Sequence, residues 1–399
     1  MIVQHKPQLH LTYCLNIHRG ESWAENLRAI QERVVEVKRH VAAGEWFGLG
    51  LRLSAAAAEE LAVPERREEA LDFFSANQLY PFTINGFPYG HFHQQPVKAE
   101  VYAPDWRTPE RRDYTLQLAD LLAAMLPDEI EGSISTVPGT YKGWLKDASD
   151  PITMAQNLAA CVAYLAALRD DTGRTIHLGL EPEPDCFLET TAETIGFFEN
   201  VLLTHGVDEV ARVLGCDRAM AEESLRRHLG ICFDTCHVAL QGEDLHDSLQ
   251  QYQAAGIRIS KIQLSAALRA RNTPETWEAL RAFDEPVYLH QVKARSDSGA
   301  RASWPDLGAA LAELPERPDL DDVRVHFHVP LFWTGSGPLS STAESLTPEF
   351  FHELRGGFCQ HLEIETYTFH VLPPEMHAGE VVRSIAHEYR WVLERVGGL

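Results

Sequence analysis

The feature that most restricts the fold is an alternation. Short apolar runs of strand character are each followed by a stretch with apolar residues at helical spacing, and this happens seven times. The runs cover residues 9–17, 47–53, 79–87, 134–137, 175–180, 229–233 and 258–264. After the first, Trp23, Leu27, Ile30, Val34, Val37 and Val41 mark one helix face. Thr108-Pro109-Glu110, Asp150-Pro151 and Thr273-Pro274-Glu275 combine a capping side chain with a proline that the first helical turn tolerates, so helices are expected to open there. Strand-then-helix repetition implies a parallel sheet, because each helix carries the chain back to where the next strand starts.

No Gly-x-Gly-x-x-Gly follows the first strand, which disfavours a dinucleotide-binding sheet and predicts an α/β fold of the (β/α)8 TIM-barrel type. Three further strand-like runs, at 286–292, 323–329 and 361–368, follow the seventh, although an eight-stranded barrel needs only one of them. The expectation is one TIM-barrel domain over residues 1–399, with an insertion at about 266–360 and a terminal helix over 380–396. Local pattern does not say which late run closes the barrel.

Composition narrows the partners. With 35 basic against 58 acidic side chains the net charge is −23, which opposes the counterion release that drives nucleic-acid binding. A nucleic-acid partner is not expected. The seven cysteines are scattered without a Cys-x-x-Cys pair and read as reduced thiols. The start, Met-Ile-Val-Gln-His-Lys, lacks a secretory pattern, and no uninterrupted apolar run reaches about 18 residues. A cytoplasmic protein without membrane insertion, acting on a small metabolite or sugar, is the expectation.

Side chains alternate across a strand, so each run can be sorted by face. Ile176, Leu178 and Leu180 oppose His177, Gly179 and Glu181; Leu229, Ile231 and Phe233 oppose Gly230, Cys232 and Asp234. Val325, Phe327 and Val329 oppose Arg324, His326 and His328; Leu362, Ile364 and Thr366 oppose His361, Glu363, Glu365 and Tyr367. One face suits packing against helices, and the other is assigned to the barrel interior. At the C-terminal strand ends, where barrel active sites lie, this places Glu181, Asp234, Gln263, His328 and Glu365. Several carboxylates gathered together repel unless a cation or proton lies among them. A divalent metal is therefore expected, and the donor set suits Mn, Mg, Co, Fe or Zn. Taken singly, each motif has an ordinary alternative. Asp234-Thr235-Cys236-His237 reads as a helix cap, Glu181-Pro182-Glu183-Pro184 as an acidic loop, and His326-Phe327-His328 as core histidines.

Leu180-Glu181-Pro182, Asp234-Thr235-Cys236-His237 and Ile364-Glu365-Thr366-Tyr367 resemble the strand ends of the xylose-isomerase-like barrels, a superfamily of sugar isomerases, epimerases and endonuclease IV. Within it, residues 11–18, 83–90, 326–330 and 361–367 resemble most the EboE-type metabolite traffic proteins. The superfamily resemblance implies metal ligands at Glu181, Asp234 and Glu365, with Gln263 where a histidine is usual, and His328 or His290 as substitutes for it. It also implies Glu181 and Glu365 as the acid–base pair of an isomerase or epimerase, with His18, Asn85, Tyr141 and His237 on the substrate side. Tyr89 and His91 are further candidates for the substrate wall, and Lys142 for an anionic substrate group. The EboE resemblance implies instead a non-catalytic or hydrolytic protein that binds an aromatic or isoprenoid-like metabolite, with protein partners in an export pathway. Phe332-Trp333 and the aromatic loop 82–92 accord with such a ligand.

Overall fold

The structure, a computed structural model, describes residues 1–90, 98–373, 376 and 379–397. In chain order the strands are β1 (Ile2–His5), β2 (Gln8–Tyr13), β3 (Phe47–Arg52), β4 (Leu79–Asn85), β5 (Gly132–Thr136), β6 (Ile176–Leu180), β7 (Leu229–Asp234), β8 (Arg258–Leu264), β9 (Ala267–Arg271), β10 (Val292–Arg295), β11 (Arg301–Trp304), β12 (Asp322–His328), β13 (Leu339–Ser341) and β14 (His361–Ile364). All seven predicted early strands are present, and helices separate them. Those over Pro109–Met125 and Asp150–Thr172 open at the prolines, and that over Leu245–Ala254 is capped by the Asp244 carboxylate.

Eight strands form a parallel barrel. β3, β4, β5, β6, β7, β8, β14 and β2 follow one another by parallel pairing, and a parallel bridge between Cys14 and Gly50 joins β2 back to β3. β1 adds an antiparallel strand on β2, and the Met1 amino group donates to the Leu11 carbonyl at 2.5 Å. Along β14 the interior face carries His361, then Glu363, then Glu365 at the mouth. His361 stacks on His177 at 5.4 Å, while Glu363 pairs with Lys261 at 2.5 Å. The barrel is thus filled in layers; Glu365 lines a cavity at the mouth, and His361 and His177 line another at the opposite end.

The run at 361 closes the barrel, and the other two late runs do not. Residues 286–291 form no strand. There the Glu285 carboxylate accepts from the Val287 and Tyr288 amides, which turns the chain before β10 begins. The run at 323 is β12, which belongs to a second, antiparallel sheet ordered β11-β10-β12-β9-β13. Its assignment to the barrel interior is corrected accordingly. The alternation itself holds: Val323, Val325 and Phe327 join the apolar core, and His326 and His328 face the barrel mouth.

This sheet is built from chain between β8 and β14, which is where the insertion was expected. One cluster of buried apolar side chains runs through barrel and inserted sheet alike. The helix Asp150–Thr172 has 23 residues, and an 18-residue window of it has mean hydropathy 1.4, long and apolar enough to cross a membrane by length and composition. In this fold it is the connection between β5 and β6, and Met154, Leu158, Cys161, Val162 and Leu165 are buried.

Candidate metal centre

β7 ends in Asp234, and the next residues form the helix Thr235–Gln241. One oxygen of Asp234 caps that helix. Oδ1 accepts from the amides of Cys236 at 2.8 Å and His237 at 3.1 Å, and from the Ser265 hydroxyl at 2.6 Å. Its Oδ2 is buried without a hydrogen-bond partner. The cap reading is therefore realised on Oδ1, while Oδ2 is left without a protein partner.

Glu181 and Glu365 flank it. Ligand atoms of Glu181, Asp234 and Glu365 lie within 4.8 Å of one another, and so do those of Asp234, His237 and His328. Ligands about 2.0–2.2 Å from a shared ion are separated by up to about 4.4 Å, so groups within 4.8 Å of one another need to close by no more than a few tenths of an ångström to share one. Glu181 Oε2 and His328 Nε2 are also buried without partners. His328 Nδ1 lies 2.8 Å from the Glu365 carbonyl, an acceptor only, so Nδ1 carries the proton and Nε2 presents a lone pair. Glu365 is oriented by Asn16 Nδ2 at 2.7 Å and Asn85 Nδ2 at 3.2 Å, both donating to Oε1.

The electrostatics tell the same story. Burial, with Asp234 next in importance, pushes Glu181 well above the ordinary carboxyl range; burial and then Glu181 do the same for Glu365. For Asp234, burial acts upward, but His237, His328 and the Ser265 hydroxyl outweigh it and hold the group below its ordinary value. Burial lowers His328 to about 4, which keeps the ring neutral and able to ligate. Three buried carboxylates, two of them with an oxygen lacking a partner, and a neutral imidazole form a pocket that suits a divalent cation.

The other sequence candidates fall into place around this centre. Gln263 is buried nearby, with Oε1 2.8 Å from the Cys232 thiol and Nε2 without a partner. His290 has both ring nitrogens occupied, Nδ1 by the His326 carbonyl at 2.9 Å and Nε2 by Glu285 at 2.8 Å. His18 Nε2 meets the Tyr13 hydroxyl at 2.8 Å, and the ring does not line the cavity described below. Tyr141 stacks on Tyr102 with ring centres 5.5 Å apart, which puts it behind the cavity wall. Tyr89 packs edge-on against Tyr114, Phe332 packs against His387, and Lys142 pairs with Glu189 and Glu193. His91 lies outside the described residues.

Over the centre opens a cavity with about 540 Å³ of atom-free space, its open side included. Asn16, Asn85, Glu181, Glu183, His237, His326 and Glu365 supply its polar wall; Phe87, Tyr102, Tyr288 and Tyr367 supply rings. Glu183, His326 and Tyr102 were not singled out by sequence reasoning. Glu183 reads as an acidic loop residue until Tyr102, from a segment 81 positions earlier, is seen donating to it at 2.7 Å. Burial pushes Glu183 up to about 7.

Among solved structures the chain is similar to an L-ribulose 3-epimerase, with TM-score 0.46 and 10% identity over 97% of this chain and 94% of that one. A xylose isomerase-like TIM barrel protein from Mycobacterium smegmatis, in complex with magnesium, gives 0.46 and 11% over 92% and 88%. The IolI protein with a bound zinc atom gives 0.43 and 12% over 98% of each chain. No family model matches the chain, and no curated protein matches it.

Proposed function

We propose that the protein is a divalent-metal-dependent isomerase or epimerase of a sugar or similar small hydroxy-ketone. The observation that carries this reading is the placement of two buried glutamates, Glu181 and Glu365, on either side of Asp234 at the floor of an open cavity. Glu181, Asp234, His328 and Glu365 would hold the cation, which when bound polarises a substrate carbonyl and makes the adjoining C–H acidic.

The protein supplies the proton chemistry. One glutamate removes the proton from carbon and the other returns one, on the opposite face for epimerisation or at the neighbouring atom for isomerisation. Burial raises the proton affinity of both, which suits groups that must accept a proton from carbon and release it again. Asn16 and Asn85 hold the Glu365 carboxylate in one orientation. The rings of Phe87, Tyr102, Tyr288 and Tyr367 form the cavity's remaining walls and restrict water around the reacting carbon.

Those same rings favour a second reading. A carrier of an aromatic or isoprenoid-like metabolite would use an apolar wall of this kind and need no proton transfer. Solvent deuterium separates the two. With metal-loaded protein in D2O and a panel of ketoses, a recovered sugar is expected to carry deuterium at the carbon next to the carbonyl. Glu365→Gln is expected to slow that exchange at least about 100-fold, the range for losing a general acid or base. No exchange with any ketose, together with tight retention of an aromatic metabolite, would leave the carrier reading standing.

A further inference from the structure

The chain is acidic overall, yet one face of the inserted sheet is basic. Antiparallel pairing sets side chains in rows across a sheet. Arg271, Asp322, Arg295 and Arg301 are successive partners on β9, β12, β10 and β11. Two residues along, and so on the same face, Arg269, Arg324, Lys293 and Ser303 form the next row. The two rows carry cations at every position but Asp322 and Ser303, while Leu268, Val292, Val323 and Val325 on the other face join the apolar core.

The ion pairs leave part of this charge unbalanced. Lys293 has two carboxylates of its own, Asp185 at 2.7 Å and Glu189 at 2.5 Å, and Arg269 has Glu344 besides Asp322. Arg295 and Arg324 have Asp322 alone, at 3.1 and 2.8 Å, and donate otherwise to the Gly242 and Ala239 carbonyls. Arg301 makes no hydrogen bond or ion pair among the described residues, and Glu243, on which its field acts, is taken by the Thr191 hydroxyl at 3.0 Å. Arg324 is 7% exposed. Burial holds its guanidinium below the ordinary value; Asp322 opposes that, and Arg295 and Arg269 add to it.

These groups line a cavity with about 670 Å³ of atom-free space, its open side included. Leu240 and Gln241, at the end of the helix Thr235–Gln241, form one wall, and Arg295, Arg301, Ser303 and Arg324 form the other. The bonds from Arg295 and Arg324 to carbonyls at that helix end fix both guanidiniums in place. We infer that this cavity binds the phosphate group of a small phosphate monoester. Three guanidiniums facing one carboxylate leave an excess that a doubly negative group balances, and guanidinium forks match phosphate oxygens in pairs. Asp297, Asp321 and Glu344 border the same face, which disfavours a long polyanion such as nucleic acid. No residue of the metal centre lines this cavity, so the inference stands whether or not the protein is an isomerase.

The test uses metal-stripped protein with chelator throughout, so that phosphate has no cation to bind. Glycerol 3-phosphate, inorganic phosphate and glycerol are titrated calorimetrically at pH 7.5 in low salt. Glycerol 3-phosphate is expected to bind at one site, at least as tightly as inorganic phosphate, and glycerol not at all. Arg301→Ala, which removes a side chain without partners, is expected to weaken the ester at least about tenfold. Arg66→Ala, on an exposed helix elsewhere, is expected to change nothing. No binding of the ester, or the same affinity in Arg301→Ala as in the unaltered chain, would overturn the site. Binding of inorganic phosphate alone would overturn the ester.

Discussion

Glu388 lies on the terminal helix Val381–Val396, fully buried, and its Oε1 accepts from the Leu331 amide at 3.1 Å and the Thr366 hydroxyl at 2.7 Å. It thereby ties together two segments next to the metal centre, one following His328 and one following Glu365. Burial pushes its carboxyl from an ordinary 4.5 up to about 7. A carboxyl whose pKa rises on folding binds its proton more tightly in the folded chain. Its contribution is therefore favourable at low pH and is lost as pH rises from about 4.5 to about 7. The full effect is the difference of 7 and 4.5 multiplied by 1.36, about 3.4 kcal/mol, of which roughly 2.5 kcal/mol falls between pH 5 and pH 8.

Glu388→Gln keeps an oxygen for both hydrogen bonds and removes the charge. At about 2.1 cal/mol/K per residue, a chain of 399 residues unfolds with an entropy near 0.84 kcal/mol/K, so 2.5 kcal/mol corresponds to about 3 °C. Melting temperatures of both proteins are measured at pH 5, 6, 7 and 8 with chelator throughout, so that the carboxylates of the metal centre titrate alike in each and cancel. The variant is expected to gain about 3 °C on the unaltered protein between pH 5 and pH 8. A difference that does not grow with pH, or a variant less stable at pH 8, would refute the reasoning.

Two other substitutions probe the barrel interior. Lys261→Met should cost about 3–5 kcal/mol by chemical denaturation, because it strands the Glu363 carboxylate in a core where both partners are at most 1% exposed. The double variant Lys261→Met, Glu363→Leu should recover most of that loss, and a double variant as unstable as the single would argue against the ion pair. Gly50→Ala should destabilise by about 1–3 kcal/mol, since the added carbon would sit 2.1 Å from Glu363 Oε1 and 2.8 Å from the Tyr13 carbonyl at the seam that closes the barrel. An unchanged melting temperature would mean the seam has room to spread.

Asp234 shows why short motifs mislead in both directions. As a string, Asp-Thr-Cys-His is most simply a helix cap, and the cap exists, but a carboxylate has two oxygens and the second is buried without a partner beside Glu181 and Glu365. His326 and His328 show a subtler limit. Alternation along the run put them on the same face, yet that run lies in the inserted sheet and not in the barrel wall, so they descend on the centre from above. His290, two residues before the inserted strand β10 begins, carries the same side chain and is taken up entirely by Glu285 and a carbonyl. Gln263 stands at the strand end that its position indicates, its oxygen against a neighbouring thiol.

By itself the sequence determined the repeating strand–helix order, the faces of the strands, and hence that Glu181, Asp234 and Glu365 would meet at one end of a barrel. Those properties depend on side-chain periodicity within a few residues, which is written locally. Only the tertiary structure decided that the run at 361 is the eighth strand, that Glu183 and His326 line the cavity, and that His328 turns its Nε2 lone pair inward. These depend on which carbonyl, amide or hydroxyl from a distant segment lies against each group. Three late runs with the same local pattern compete for one place in the barrel, and long-range pairing, not propensity, selects among them.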